Sequence, residues 1–416
     1  MSFYKSFFAF YSVSIVSQID AKFNIEFNVN KNISMFYQTC IEEICDDCYN
    51  KLRNEINNSF SEKSSNDKEK EDFISILSDL RNQKYFHKYM TPTFMNYWNE
   101  ASECYDRLFD NDIEILNNRK LELYEYYKTI RIDFDAIHKF YNCNLNKNEV
   151  FKVFICSCNK NVKQVAYCFG KNIIIRFGYA KLASDFCAIS EQICHTIFRY
   201  MSSTTWNSIK NHLYYHKSKN AYVAYNFLDD VLAYAIGQLI IYEKLPDPKD
   251  SINLKPLDSR IYELSKKILP MLKQYLDNKK IIDLHFIDEF VSIIDKTYPN
   301  AYKDFKISMK SLSLIVENGI DYTECAQIIK ERFKTKEIVN ETGSFTTVFV
   351  GKNLGHHVLK NIQSQLPNKT SDYMFIKQIK GKLFFVFFTC DPQKIRKALN
   401  RLKEQPPLLN GVIFDL

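Results

Sequence analysis

The stretch Ala188–Phe198 reads AISEQICHTIF and gathers residue types that bind metals and move protons. Glu191 and His195 are four apart, so on a helix they share one face, one turn above the other. A carboxylate and an imidazole so placed can reach one metal ion, as two histidines do in H-E-x-x-H. About thirty-five residues on, Asn226–Gly237 reads NFLDDVLAYAIG, where Asp229 and Asp230 open an otherwise apolar helical run and offer an acidic third ligand. One nitrogen and two oxygens are acceptable donors for zinc or another divalent metal. The plain alternative is an amphipathic helix with His195 partly in the core and Glu191 in solvent.

Other chemistry-bearing groups are weaker. His212 and His216 are also four apart, but no acidic residue sits beside them in the sequence and Lys210, Lys217 and Lys219 would repel a cation. They read as surface histidines, as do the adjacent His356 and His357 near a helix start. Cys40, Cys45 and Cys48 include one C-x-x-C, but no second one exists to complete a zinc knuckle. Cys156 and Cys158 fall on one face of an apolar strand and read as small buried hydrophobes. No G-x-S-x-G occurs, and neither G-x-G-x-x-G nor G-x-x-x-x-G-K-[ST] is present. The phosphate cradles of dinucleotide and P-loop enzymes are therefore missing, and nucleophilic hydrolases lack support.

Strand, motif helix, then a helix beginning with an acidic residue and reading L-A-Y-A-x-G: this order resembles the gluzincin branch of the zincin metallopeptidases. In that family the motif often runs H-E-I-x-H-T-I-F, and here the same positions hold Glu191, Gln192, Ile193, Cys194, His195, Thr196, Ile197 and Phe198. The resemblance covers about residues 150–245 and implies a zincin-like core whose metal ligands would be Glu191, His195 and Asp230, with zinc as the expected metal. It also implies that the catalytic glutamate of the family is replaced by Gln192. Metallopeptidase chemistry needs a carboxylate to deprotonate the zinc-bound water and to hand the proton on, and a carboxamide does neither. The expectation is a catalytically inactive protein that binds a peptide or protein partner. In the family the edge strand before the motif helix receives substrate as an added strand, which here would be Asn172–Phe177. Two rivals stay open: an active zinc peptidase with an atypical Glu/His/Asp site, and an interaction protein unrelated to peptidases.

The elements that must position these residues follow from periodicity. Short β-branched and aromatic runs, VFKVFICS, QVAYCF and NIIIRF, predict a small sheet from about residue 149. Helical patterns follow at about Ala180–Met201, Trp206–Lys217, Leu228–Glu243, Ser259–Asn278 and Ile287–Lys296, with further helices to about 333. The last eighty residues predict a strand at Phe345–Val350, a helix at Leu354–Leu366, a hairpin of Tyr373–Ile379 and Leu383–Thr389, a helix at Pro392–Lys403 and a strand at Val412–Phe414. That βαββαβ order is the ferredoxin-like arrangement.

Composition sets the wider frame. With 416 residues, 46% hydrophobic, the chain has material for two or three domains. The 56 basic and 49 acidic side chains give a net charge of +7 without a dense basic block, so no nucleic-acid partner is expected. Residues 1–21 carry Lys5, an apolar Phe7–Val16 and a small Ala21, the layout of a secretory signal peptide. Beyond it no apolar run reaches membrane-spanning length, so an exported protein, periplasmic or secreted, without stable membrane insertion is expected. The polar tract 59–70 reads as an exposed loop. The expected organisation is a leader at 1–21, a mainly helical region at 22–148, a zincin-like core with its following helices at 149–335 and a ferredoxin-like module at 336–416. The fold class expected is α+β, mostly helical.

Overall fold

A computed structural model describes residues 24–40, 51–52, 92–129, 133–146, 149–157, 166–177, 182–244, 258–304, 307, 309–333, 335, 337–339, 345–353, 359–360, 362–367, 371–379, 382–404 and 410–415. The leader at 1–21, the polar tract at 59–70 and Cys45, Cys48 and Cys158 lie outside the described residues. The chain is α+β with two small mixed sheets and divides into two units, Met1–Ser202 with Leu232–Ile281, and Ser203–Val231 with Ile282–Leu416. Among the described residues no helix is long and apolar enough to cross a membrane.

In the first unit, β1 (Asn24–Asn28), β2 (Val150–Ser157), β3 (Ala166–Phe169) and β4 (Asn172–Phe177) form a sheet in the order β1-β2-β4-β3. β1, β2 and β4 run parallel, and β3 returns antiparallel to β4 through a turn at Gly170, whose φ of 60° suits glycine. Successive residues of the central strands, Phe151, Val153–Cys156 and Ile173–Ile175, are buried, the pattern of parallel strands packed on both faces. Helices α1 (Lys31–Cys40) and α2 (Pro92–Thr129) pack on β2, and the short α3 (Phe134–Phe140) is capped by Asp133, whose Oδ1 accepts from the Ala136 N–H at 2.9 Å. Helix α4 (Leu182–Arg199) packs on β3 and β4 with Phe186, Ile189, Ile193 and Ile197 inward. Its first turn is pinned by Asp185, which takes two hydrogen bonds from the buried Arg119 of α2, at 3.0 and 2.6 Å.

The chain then forms α5 (Ser203–Tyr215) and α6 (Ala221–Tyr234), which continues without a break as a π-helical stretch, Ala235–Ile240. That stretch packs on α4 and on α7 (Ser259–Asp277) within the first unit. In the second unit α8 (Leu284–Thr297), capped by Asp283, packs on α5. The buried Asn220 at the start of α6 donates to Asp295 Oδ1 at 2.8 Å and accepts from the Tyr302 N–H at 2.8 Å, tying that helix start to the end of α8.

The second sheet comprises β5 (Ser311–Val316), β6 (Glu337–Val339), β7 (Thr346–Val350), β8 (Tyr373–Ile379), β9 (Lys382–Phe388) and β10 (Asn410–Asp415), in the order β10-β8-β9-β7-β5-β6. Helix α9 (Tyr322–Phe333) links β5 to β6, and α10 (Pro392–Glu404) links β9 to β10. Alternation along β9 fills two cores: Leu383, Phe385 and Phe387 meet Ile328, Ile329 and Ile395 of the helices, while Phe384, Val386 and Phe388 meet Phe349, Leu359 and Tyr373.

Four expectations need correction. A split βαβ module closes its last strand onto its first, which would pair β10 with β7. Here β5 holds that edge of β7, from Ser313↔Thr347 to Val316↔Val350, and β10 pairs with β8 instead. β5 lies inside the stretch expected to be helical up to 333; its Ser-Leu-Ser-Leu start has the period of two that a strand requires. Of the helix expected at 354–366, residues 354–358 and 361 lie outside the described residues, and the described ones hold a 3₁₀ turn, Gln363–Gln365, with Leu359 and Ile362 buried in the core. Finally, β4 is paired on both sides by β2 and β3, so it offers no edge for an added strand.

Candidate functional site

Helix α4 delivers Glu191 and His195 to one face, as their spacing requires, with Nε2 of His195 4.0 Å from Oε1 of Glu191. Both side chains are mostly buried, 13% and 23% exposed. The next residue of the motif, Thr196, is structural: its hydroxyl donates to the carbonyl of Gly170 at 2.8 Å and anchors α4 to the β3–β4 turn. Gln192 presents its backbone carbonyl to the same hydroxyl at 3.1 Å. Nothing at position 192 can take up a proton at neutral pH.

The π-helical stretch completes this site. Each π turn holds one residue more than an α turn, and such bulges recur at functional positions. Gly237 lies so close to α4 that a β-carbon on it would stand 2.4 Å from both Cα and N of Glu191. One residue on, the buried Gln238 donates its Nε2–H to Oε2 of Glu191 at 2.6 Å, a charge-assisted hydrogen bond. Its carbonyl Oε1 is buried without a hydrogen-bond partner. Glu191 acts on its surroundings in turn. The Tyr234 phenol is held well above the usual range, first by burial and then by the charge of Glu191. Burial, with the same charge second, pushes the Cys187 thiol up to about 12. Neither group offers an ionised nucleophile or base near neutral pH.

Asp230, the third ligand expected from the sequence, belongs to the second unit, and there its Oδ2 lies 3.5 Å from Nζ of Lys310. Lys310 also sits over the Phe227 ring, 4.2 Å from its centroid, which holds the ammonium in place. Lys310 offsets part of the negative charge of Asp230 and so weakens, without abolishing, its value as a metal ligand. Gln238 and Lys310 were both invisible to motif reasoning. The only trace of the first is its place directly after Gly237 in the LAYAIG pattern.

The second unit holds a cluster dismissed on sequence grounds. His212 in the last turn of α5 and His216, one residue past its end, meet Asp288 of α8, with Nε2 to Oδ1 distances of 2.5 and 3.4 Å. The three offer ligand atoms all within 4.8 Å of one another, a His/Asp group that could hold a metal ion. The acidic neighbour missing from the sequence around these histidines comes from seventy-two residues further on. The cluster borders an open groove of about 760 Å³, also lined by Tyr215, Lys217 and Leu284.

Compared with protein-family models, curated proteins and solved structures, the chain matches none.

Proposed function

We propose that the first unit is a zincin-like scaffold that has lost peptide hydrolysis and now binds a peptide or protein partner, in an exported protein. The observation that carries this reading is the hydrogen bond from Gln238 to Glu191 at 2.6 Å, with Gly237 pressed against the Glu191 backbone. A carboxylate that would face a metal is engaged by a protein donor instead. Gln192 supports the same conclusion, since loss of general acid–base catalysis alone removes about 10²–10⁴-fold in rate. A partner arriving as an added strand would use β3, the edge strand beside β4.

The test is a peptidase assay on the purified full chain over a peptide library, with and without chelator, for the native protein and His195→Ala. No chelator-sensitive turnover above background is expected from either. Turnover that disappears with chelator and with His195→Ala would establish an active metallopeptidase and overturn the proposal.

A further inference from the structure

The cluster on α5 and α8 can be taken further. We propose that His212, His216 and Asp288 form a binding site for a zinc-class dication, with the remaining coordination positions turned to the groove. The end of α5 supplies two imidazoles, His212 from its last turn and His216 from the turn that follows, closed by the His216 N–H to the Leu213 carbonyl at 3.2 Å, with ring centroids 5.8 Å apart, and the packing of α8 on α5 supplies the carboxylate. Zinc bonds of about 2.0–2.2 Å in a tetrahedral array set ligand atoms roughly 3.4 Å from one another. The His216 Nε2 to Asp288 Oδ1 distance of 3.4 Å already meets this. The His212 Nε2 to Oδ1 distance of 2.5 Å is that of a hydrogen bond and has to open by roughly 1 Å. The Asp288 side chain, 49% exposed, has the freedom to make that movement.

The donor set selects the ion. Two imidazoles and one carboxylate suit zinc, nickel or copper, whereas calcium and magnesium seek oxygen-rich cages. Two features moderate the affinity. Lys217 lines the groove and repels cations, although it is exposed and screened by solvent. The Ser218 N–H donates to Nδ1 of His216 at 3.0 Å, so that nitrogen carries the lone pair. A metal on Nε2 requires Nδ1 to carry the proton, and binding therefore breaks this hydrogen bond, at a cost of about fivefold in affinity.

Zinc titration of the chelator-stripped full chain by calorimetry tests the site, alongside His212→Gln, Asp288→Asn and His195→Ala. The equivalent held by this cluster should bind at least tenfold more weakly in the first two variants and persist in the third, whatever zinc His195 itself takes. Cobalt in place of zinc should give a spectrum without thiolate charge-transfer absorption, separating this site from any held by the twelve cysteines. Zinc should also raise the melting temperature of the native chain and leave that of His212→Gln unmoved. No zinc binding, binding equal in His212→Gln and Asp288→Asn, or thiolate absorption from the bound cobalt would overturn the proposal. A loss confined to His195→Ala would also overturn it, and would place the zinc at His195 instead.

Discussion

At Gly237 the missing β-carbon lets the π-helical stretch lie against Glu191, and the 2.4 Å approach leaves no room for a methyl group. Both neighbours are backbone atoms, which cannot swing aside as a side-chain tip would. Gly237→Ala should therefore cost about 1–3 kcal/mol, read as a lower urea midpoint with an unchanged slope. An unchanged midpoint would mean that the helices separate without penalty. The glycine and Glu191 were both legible as parts of one sequence pattern. The hydrogen bond from Gln238 was not, because a glutamine after a glycine reads the same whether its amide faces solvent or a buried carboxylate. Likewise Asp288 has no local signature, as an exposed acidic residue on a helix is the commonest of surfaces.

Among the elements, the strand ends of the second sheet depend on Asp372. Its carboxylate accepts from Lys394 Nζ and from the Thr389 hydroxyl at 2.8 and 2.9 Å, and pairs with Lys352 Nζ at 3.0 Å. The start of β8 is thereby linked to the ends of β7 and β9. The Lys394 hydrogen bond foremost, with Lys352 and Thr389 behind it, lowers the carboxyl from 3.8 to about 2. A folded-state value below the unfolded one stabilises the fold fully above about pH 4, and that stabilisation is lost as pH falls towards 2. Asp372→Asn should remove this acid-limb slope, a difference on the order of 1 kcal/mol once solvent screening of the lysines is allowed for. Denaturant titrations at pH 5 and pH 2.5 check it, and equal slopes for variant and native protein would refute the link. β7, β8, β9, β10 and α10 were readable from period and composition, whereas β5 and β6 were not. The strand order was not readable either, since β8 and β9 carry the same alternation whichever neighbour they take.

For the whole molecule, the place of β5 has the widest consequence. Residues 336–416 expressed alone lack β5 and α9, leaving one edge of β7 open and Val348, Met374 and Phe385 without the cover of Ile328 and Ile329. That fragment should bind a hydrophobic dye and resist protease poorly, whereas residues 282–416 should show less of both; a compact, dye-silent 336–416 would refute the dependence. The sequence by itself determined the α+β class, the sheet at 150–177, the motif helix with Glu191 and His195 on one face, and the absence of a base at Gln192. Those properties are local, written in periods of two and 3.6 and in the identity of single side chains. Only the tertiary structure decided that Gln238 engages Glu191, that Lys310 stands beside Asp230, that Asp288 joins His212 and His216, and that β5 takes the edge meant for β10. Each of these is a meeting of segments far apart in the chain. Such meetings are chosen by how buried surfaces fit, and no short stretch of sequence carries that information.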